Sequence, residues 1–190
     1  MKKTIIFLAP ATLALAGLLA CGGGGDKKPV PATKLEYTDP AGTGYRFVKD
    51  SARSTPTKLV LELKGPASGV GRGVSFSVTS DATKVSFVKV ESSDPEFVQN
   101  EVFDLGTSEY KLFKGVVDGN SLGVSVAQKG TTASDKPLDG TLVRIALEMK
   151  ISANMTQNTA ITFTASNAKE LPSSGGSRSI TIACGALVAK

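Results

Sequence analysis

The sequence predicts an all-β fold, an antiparallel β-sandwich or jelly roll of about nine strands. Three observations lead there. Apolar residues recur with a period of two over many short segments, the pattern of strands with one face in a core and one in water. Turn compositions such as Ser80-Asp81-Ala82-Thr83 and Asp118-Gly119-Asn120 separate those segments. After residue 20 no stretch carries the periodicity of an amphipathic helix. The one exception is a short helical turn from Glu96 to Val102, capped by Ser92-Ser93-Asp94-Pro95.

The chain opens on a different pattern. Lys2 and Lys3 precede an apolar run from Ile5 to Leu19, about the length of a signal-peptide core and short for a membrane span. The run ends at Leu18-Leu19-Ala20-Cys21, and Gly22-Gly23-Gly24-Gly25 follows. Small residues before a cysteine, with a Gly-rich tail behind it, resemble the bacterial lipoprotein signal. The resemblance implies cleavage after Ala20, acylation of the Cys21 thiol and a lipid anchor in the cell membrane or outer membrane, with the domain facing the periplasm or the cell exterior. The other reading of the same residues is ordinary secretory cleavage at Ala20, which leaves Cys21 as a free terminal thiol. Each buried lipid CH₂ contributes about 0.8 kcal/mol, so two or three acyl chains on Cys21 would hold the protein where one gives marginal binding.

Asp26-Lys27-Lys28, Pro29 and Pro31 extend the polar, stiffened stretch behind the glycines. The organisation is therefore a signal peptide at 1–20, a lipidated Cys21 with its tether at 21–34, and one domain at 35–190. As a flexible coil the tether spans roughly 20 Å. A domain of this size buries about 70% of its unfolded surface and needs neither a metal nor a disulfide to fold. The cysteines agree: only Cys21 and Cys184 exist, and with Cys21 acylated Cys184 has no partner and reads as a buried, inert thiol.

Within the domain, Leu59, Leu61 and Leu63 alternate with Val60, Glu62 and Lys64, and Val74, Phe76 and Val78 alternate with Ser75, Ser77 and Thr79. After the Asp81 turn, Val85, Phe87 and Val90 predict a strand with a bulge or shift in register. Leu112, Phe113, Val116 and Val117 lead through Asp118-Gly119-Asn120 to Leu122, Val124 and Val126, a hairpin. A polar loop at 130–137 precedes the clearest strand, Thr141 to Ile151, in which Val143, Ile145, Leu147, Met149 and Ile151 share a face and Arg144, Glu148 and Lys150 point to water. Ile161 with Phe163, and Ile180 with Ile182, repeat the pattern on either side of a Ser/Gly loop.

In that order the motifs resemble the cohesin family. Gly73-Val-Ser-Phe-Ser-Val-Thr-Ser-Asp81-Ala-Thr-Lys-Val85 is similar to the cohesin segment that runs from a strand through an Asp-centred turn. Asp139-Gly-Thr-Leu-Val-Arg-Ile-Ala-Leu-Glu-Met149 and Ile161-Thr-Phe-Thr-Ala-Ser-Asn167 resemble later strands, so that the likeness spans residues 57 to 183. It implies a nine-stranded jelly roll and a non-catalytic module that binds dockerins through one sheet face, structurally related to carbohydrate-binding modules. The positions where well-studied cohesins place an acidic and an amide side chain correspond here to Ser75 and Gly73, which cannot make the same charge-assisted contact.

The residue types exclude much chemistry. With no histidine, Ser-His-Asp, Cys-His and histidine-based zinc sites cannot form. Asp94, Glu96 and Glu101 are the one carboxylate group close in sequence, and a solvated surface is their ordinary role. Asp118-Gly119-Asn120 begins like a calcium loop but continues with Leu122 and Lys129 where oxygen ligands belong. Gly69-Val70-Gly71-Arg72-Gly73 leads into a strand rather than a helix N-terminus, against a phosphate loop, and the resemblance to a bacterial lipoprotein signal implies that the glycosylation triplet Asn154-Met155-Thr156 is accidental. No catalytic residue, metal or cofactor is expected. The net charge of +5 falls to +3 once Lys2 and Lys3 leave, and the basic residues are scattered, which argues against nucleic acid. Trp is absent and Tyr37, Tyr45 and Tyr110 are dispersed, so a sugar-stacking strip is not evident in the sequence. The expected function is a membrane-anchored, non-enzymatic binding module for another protein of the cell envelope or surface, with a carbohydrate-binding module as the alternative; the residues of the binding face are not legible at this level.

Overall fold

The computed structural model describes residues 28–190; the segment expected to be a signal peptide, Cys21 and the glycine run lie outside the described residues. Fourteen strands, paired antiparallel, form three sheets among the described residues. The first contains β2 (Arg46–Lys49), β3 (Lys58–Lys64) and β10 (Thr141–Met149), with β5 (Val85–Val88) and β6 (Val98–Asn100) both paired to the far edge of β10. The second runs in the order β13 (Arg178–Ser179), β12 (Phe163–Pro172), β4 (Val70–Ser80), β8 (Ser121–Lys129) and β7 (Tyr110–Asp118), with β9 (Lys136–Pro137) beside the start of β4. A small third sheet joins β1 (Leu35–Thr38), β14 (Ala186–Ala189) and β11 (Thr159–Ile161).

The period-two pattern puts one side of each large sheet into a common core. Leu59, Leu61, Leu63, Ile145 and Leu147 of the first sheet and Phe76, Val78, Val124 and Val126 of the second are all buried. Phe47 ties the layers together, meeting Phe76 edge-on at 5.6 Å between ring centroids and Phe163 at 5.4 Å. The hairpin predicted at Asp118-Gly119-Asn120 forms, with Asp118 opposite Ser121 and Gly119 at φ +58°, the conformation such a tight turn demands. In the preceding turn Asp81 accepts hydrogen bonds from the Thr83 hydroxyl and backbone and pairs with Lys84 at 2.9 Å; these contacts, led by the Thr83 hydroxyl, hold its carboxyl down at about 2.

Several features differ from the sequence reading. Ile151, expected on the buried face of the long strand, lies past its end at Met149 and is 85% exposed, and Ile161 and Phe163 fall in two strands, β11 and β12, of different sheets. The segment expected to make a helical turn is strand β6, where Val98, fully buried, pairs with Ile145: the Pro95 signal marks the entry to an edge strand rather than to a helix. Ile180 and Ile182 form no ladder; Ile182 is buried and the Ile180 backbone N–H donates to Ala168 at 3.0 Å, so the alternation there follows the core without strand pairing. Strands β1 and β2 carried no alternating run long enough to be read. Val60 and Arg144, expected in water, are buried on the outer side of the first sheet.

The chain is also docked before residue 35. Pro31 bridges to Thr156, the Ala32 N–H donates to Met155 at 2.7 Å, and the N–H groups of Thr33 and Lys34 both donate to the carbonyl of Lys190. Residues 31–34 are thus fastened to the third sheet and the C-terminus, at the end of the sandwich that also holds the Asp81 and Gly119 turns.

Candidate binding face

On the second sheet, cross-strand register fixes which side chains point outward together. Leu112, Ala127, Gly73 and Leu171 form one row across β7, β8, β4 and β12; Lys114, Ser125, Ser75 and Lys169 form the next; Val116, Gly123, Ser77 and Ser166 the one after. The two central strands present only glycine, alanine and serine, so the face has a low floor. Ser75 and Ser125 hydrogen-bond to each other at 2.9 Å and satisfy their hydroxyls within that floor. At Gly73 a Cβ would lie 2.4 Å from the Ala127 Cβ, so the close approach of β4 and β8 requires glycine there.

The flanking strands carry the apolar surface. Tyr110 (67% exposed), Leu112 (47%) and Val116 (57%) line the outer side of β7. Their neighbours Phe113 and Val117 turn inward and pack against the core. Between Leu112 and Leu171 the face sinks into an apolar depression of about 180 Å³ floored by Gly73, Ser75, Ser125 and Ala127, and a second of about 230 Å³ continues toward Tyr110. Under this edge the buried Glu170 accepts from Arg178 at 2.5 Å and from the Tyr45 hydroxyl, whose own burial pushes the phenol pKa up.

The opposite outer face is closed. Asp50, Glu62 and Glu101 converge on Arg144. The Arg144 Nε donates to Asp50 and Glu62 at 3.0 Å each, its Nη2 to Glu62 at 2.9 Å and its Nη1 to Glu101. Burial alone would lower the guanidinium pKa, but Glu62, Glu101 and Asp50 together raise it. Beside this network Val60, Val90 and Ala146 make a small separate apolar cluster, sealed by Lys58, whose ammonium donates to the Val90 carbonyl at 2.6 Å.

The carboxylates singled out in sequence do not converge as a catalytic pair. Glu96 is bound by Lys114 at 2.9 Å and by the Gly115 N–H, which hold its carboxyl below the usual range. Glu101 serves Arg144, and Asp94 accepts from the Glu91 N–H at 2.7 Å and from Gln99. Asp94 and Glu101 do line an open cleft of about 490 Å³ with Arg53, but each already holds a partner. Among the described residues no group of three or more His, Cys, Asp or Glu is placed to hold a metal ion, and no helix is long and apolar enough to cross a membrane. Cys184 is half-buried and unpaired in a disulfide, with burial pushing its thiol up to about 11. Ser75 and Gly73, the two positions carried over by resemblance, both lie in the floor of the depression; Tyr110, Leu112 and Leu171 around it had no such marker.

No family model matches the chain, nor does the sequence of any curated protein. Solved structures do match it. The sixth cohesin of scaffoldin B from Acetivibrio cellulolyticus, crystallised with a Cel5 dockerin mutant, aligns with TM-score 0.50 and 17% identity over 76% of this chain and 97% of that one. The second type II cohesin module of the cellulosomal adaptor ScaA scaffoldin of the same organism aligns with TM-score 0.55 and 10% identity, covering 77% and 96%. A further type II cohesin domain from its cellulosome gives 0.53 and 11% over 78% and 95%. Identities this low speak to fold alone, and the two packed sheets, their register and these alignments agree on it: the chain carries a cohesin-like β-sandwich domain.

Proposed function

We propose that this protein is a non-catalytic binding module, anchored to a membrane through lipidated Cys21, that takes another protein on the outer face of the β12–β4–β8–β7 sheet. The observation that carries the reading is the exposure of Tyr110, Leu112 and Val116 on one edge strand, with the Glu96-bound Lys114 between the last two, above a floor of small residues, because large apolar side chains gathered on an exposed sheet face mark an interaction surface. The dockerin complex of the aligned scaffoldin cohesin supports a protein as the class of partner. The carbohydrate-binding alternative draws less support, since Tyr37 and Tyr45 are buried and Tyr110 stands as a single exposed aromatic among the described residues.

Strand direction suits presentation from an anchor. The tether joins the domain at residues 31–34, near the Asp81 and Gly119 turns, whereas the depression lies at the Tyr110 end of β7. Eight residue steps along β7 separate Asp118 from Tyr110, about 25 Å at the usual rise, so the depression lies away from the end that enters the tether.

A photo-crosslinking side chain at Leu112, compared with one at the exposed Glu148 on the other sheet, tests the assignment in intact cells. A discrete crosslinked protein is expected from position 112 and not from 148; equal labelling from both, or none from 112, removes the face assignment. Fatty-acid labelling that is lost in Cys21→Ala tests the anchor, and persistent labelling of that variant would remove it.

A further inference from the structure

Two lysines on the outward rows flank the two depressions: Lys169 lines the first and Lys129, opposite Tyr110, the second, both exposed. Among the described residues neither has a carboxylate within ion-pair distance, whereas Lys114 on the same face is held by Glu96 at 2.9 Å. Two of the acids nearby are paired elsewhere, Asp135 with Arg72 at 2.8 Å and Glu170, buried beneath the face, with Arg178; Glu109 accepts from Thr131. The apolar depression therefore has cations at its rim that no ion pair among the described residues answers.

We infer that the occupant of this face is an acidic protein segment that seats an aliphatic side chain between Leu112 and Leu171 and brings carboxylates to Lys129 and Lys169. The inference rests on the reading of this sheet face as the binding face. Complementary charge around an apolar centre gives specificity and speeds encounter, while the desolvated centre supplies most of the affinity. Ser75 and Gly73 fit the same picture. They belong to a neutral floor with cations at its rim, which selects a partner of opposite sign.

Two other occupants are less well matched. An anionic lipid surface would meet the end of the domain near residues 31–34 first, and Lys129 and Lys169 lie toward the other end. A second copy of the chain has an acidic stretch from Glu91 to Glu101, but Asp94, Glu96 and Glu101 are already bound to Gln99, Lys114 and Arg144.

The test titrates the full chain, held in neutral detergent, with a synthetic amphipathic helix that carries leucines at i and i+4 flanked by glutamates. A counterpart with lysine in place of each glutamate is the control. The acidic peptide is expected to shift backbone resonances at 110–112, 127–129 and 169–171, and to bind at least about tenfold more weakly once salt screens the rim. The combined variant Lys129→Glu, Lys169→Glu should lose about tenfold or more with its urea midpoint unchanged, since exposed charges contribute little to folding. Equal or better binding of the lysine peptide at the same residues overturns the partner chemistry and leaves the face assignment standing. Failure of both peptides together with failure of the Leu112 crosslink overturns both. Phosphatidylglycerol vesicles shifting these residues where the peptides do not, or a dimer that disperses in the double variant, would replace the acidic segment with lipid or with a second copy.

Discussion

On the outer face of the β3–β10 sheet a charged side chain is buried, while on the outer face of the β4–β8 sheet apolar side chains stand in water. Both faces come from strands that alternate in the same way, and both present polar residues to the outside in sequence. The difference is made by what lies above them. The segments 50–54 and 88–101 fold back over the first sheet, bringing Asp50, Glu101 and Val90 onto Arg144 and Val60. Nothing among the described residues covers the second sheet, whose floor of Gly73, Ser75, Gly123, Ser125 and Ala127 is low enough to admit a partner from outside. One face has its cover built in; the other has none among the described residues.

Removing the charge at the centre of the closed face breaks the comparison most severely. Arg144→Met keeps much of the aliphatic stem but leaves Asp50 and Glu62 without their shared guanidinium. Loss of one partner from a buried ion network costs about 3 kcal/mol or more, because the remaining charges stay desolvated. A fall of that size is expected in urea denaturation. A change below about 1 kcal/mol would mean that water reaches the network and the face is not closed.

The next largest effect belongs to the one tight place on the open face. Gly73→Ala puts a methyl group 2.4 Å from the Ala127 Cβ and 2.7 Å from the Val126 carbonyl, so β4 and β8 must move apart. About 1–3 kcal/mol of destabilisation is expected from such overpacking, together with a partly filled depression. Unchanged stability would show that the two strands are less closely apposed than this geometry has them.

Acid should loosen the closed face selectively. Burial raises the Asp50 carboxyl pKa as the largest single influence, but Arg53 and Arg144 outweigh it and the net value lies below the ordinary 3.8. A lowered folded value means the carboxylate stabilises the fold above 3.8, and that contribution is lost as the pH falls through the folded value. The stability gap between the wild type and Asp50→Asn should therefore be widest near neutrality and shrink as the pH drops below about 4. A gap independent of pH would assign the effect of the substitution to lost packing or lost backbone hydrogen bonds at Ala52 and Arg53 instead.

What could be read in advance follows from the same contrast. Alternation reports which residues of a strand share a face, and it located β3, β4, β8, β10 and the Gly119 hairpin because those faces meet in one continuous core. It cannot report whether the other face is later covered, so the pattern puts Arg144 and Val60 in water and is silent about Val90 over Val60 and about Glu101 and Asp50, 43 and 94 residues from Arg144. The four-residue strands β1 and β2 offer too few positions for a period to show, with Leu35 and Tyr37 or Phe47 alone to mark the core side. The open face did leave a trace. Leu112-Phe113 and Val116-Val117 put apolar residues on both sides of one edge strand, and a strand with apolar residues on both sides has a second surface to satisfy.

The smallest expected effect on stability is the most informative about that second surface. Leu112 is about half exposed and sits on an edge strand whose core contacts are made by Phe113 and Val117, so Leu112→Ser should change the folding free energy by no more than about 0.5 kcal/mol. If the open face takes a partner, the same substitution removes one wall of the Leu112–Leu171 depression, and truncation of a central apolar anchor weakens association by about 2 kcal/mol, some thirtyfold. Urea denaturation and the yield of the partner retained from solubilised membranes measure the two effects on one protein. Loss of binding without loss of stability is the signature of an interface residue. Loss of stability without loss of binding would place Leu112 in a packing role instead, and the contrast between the two faces would then be one of degree.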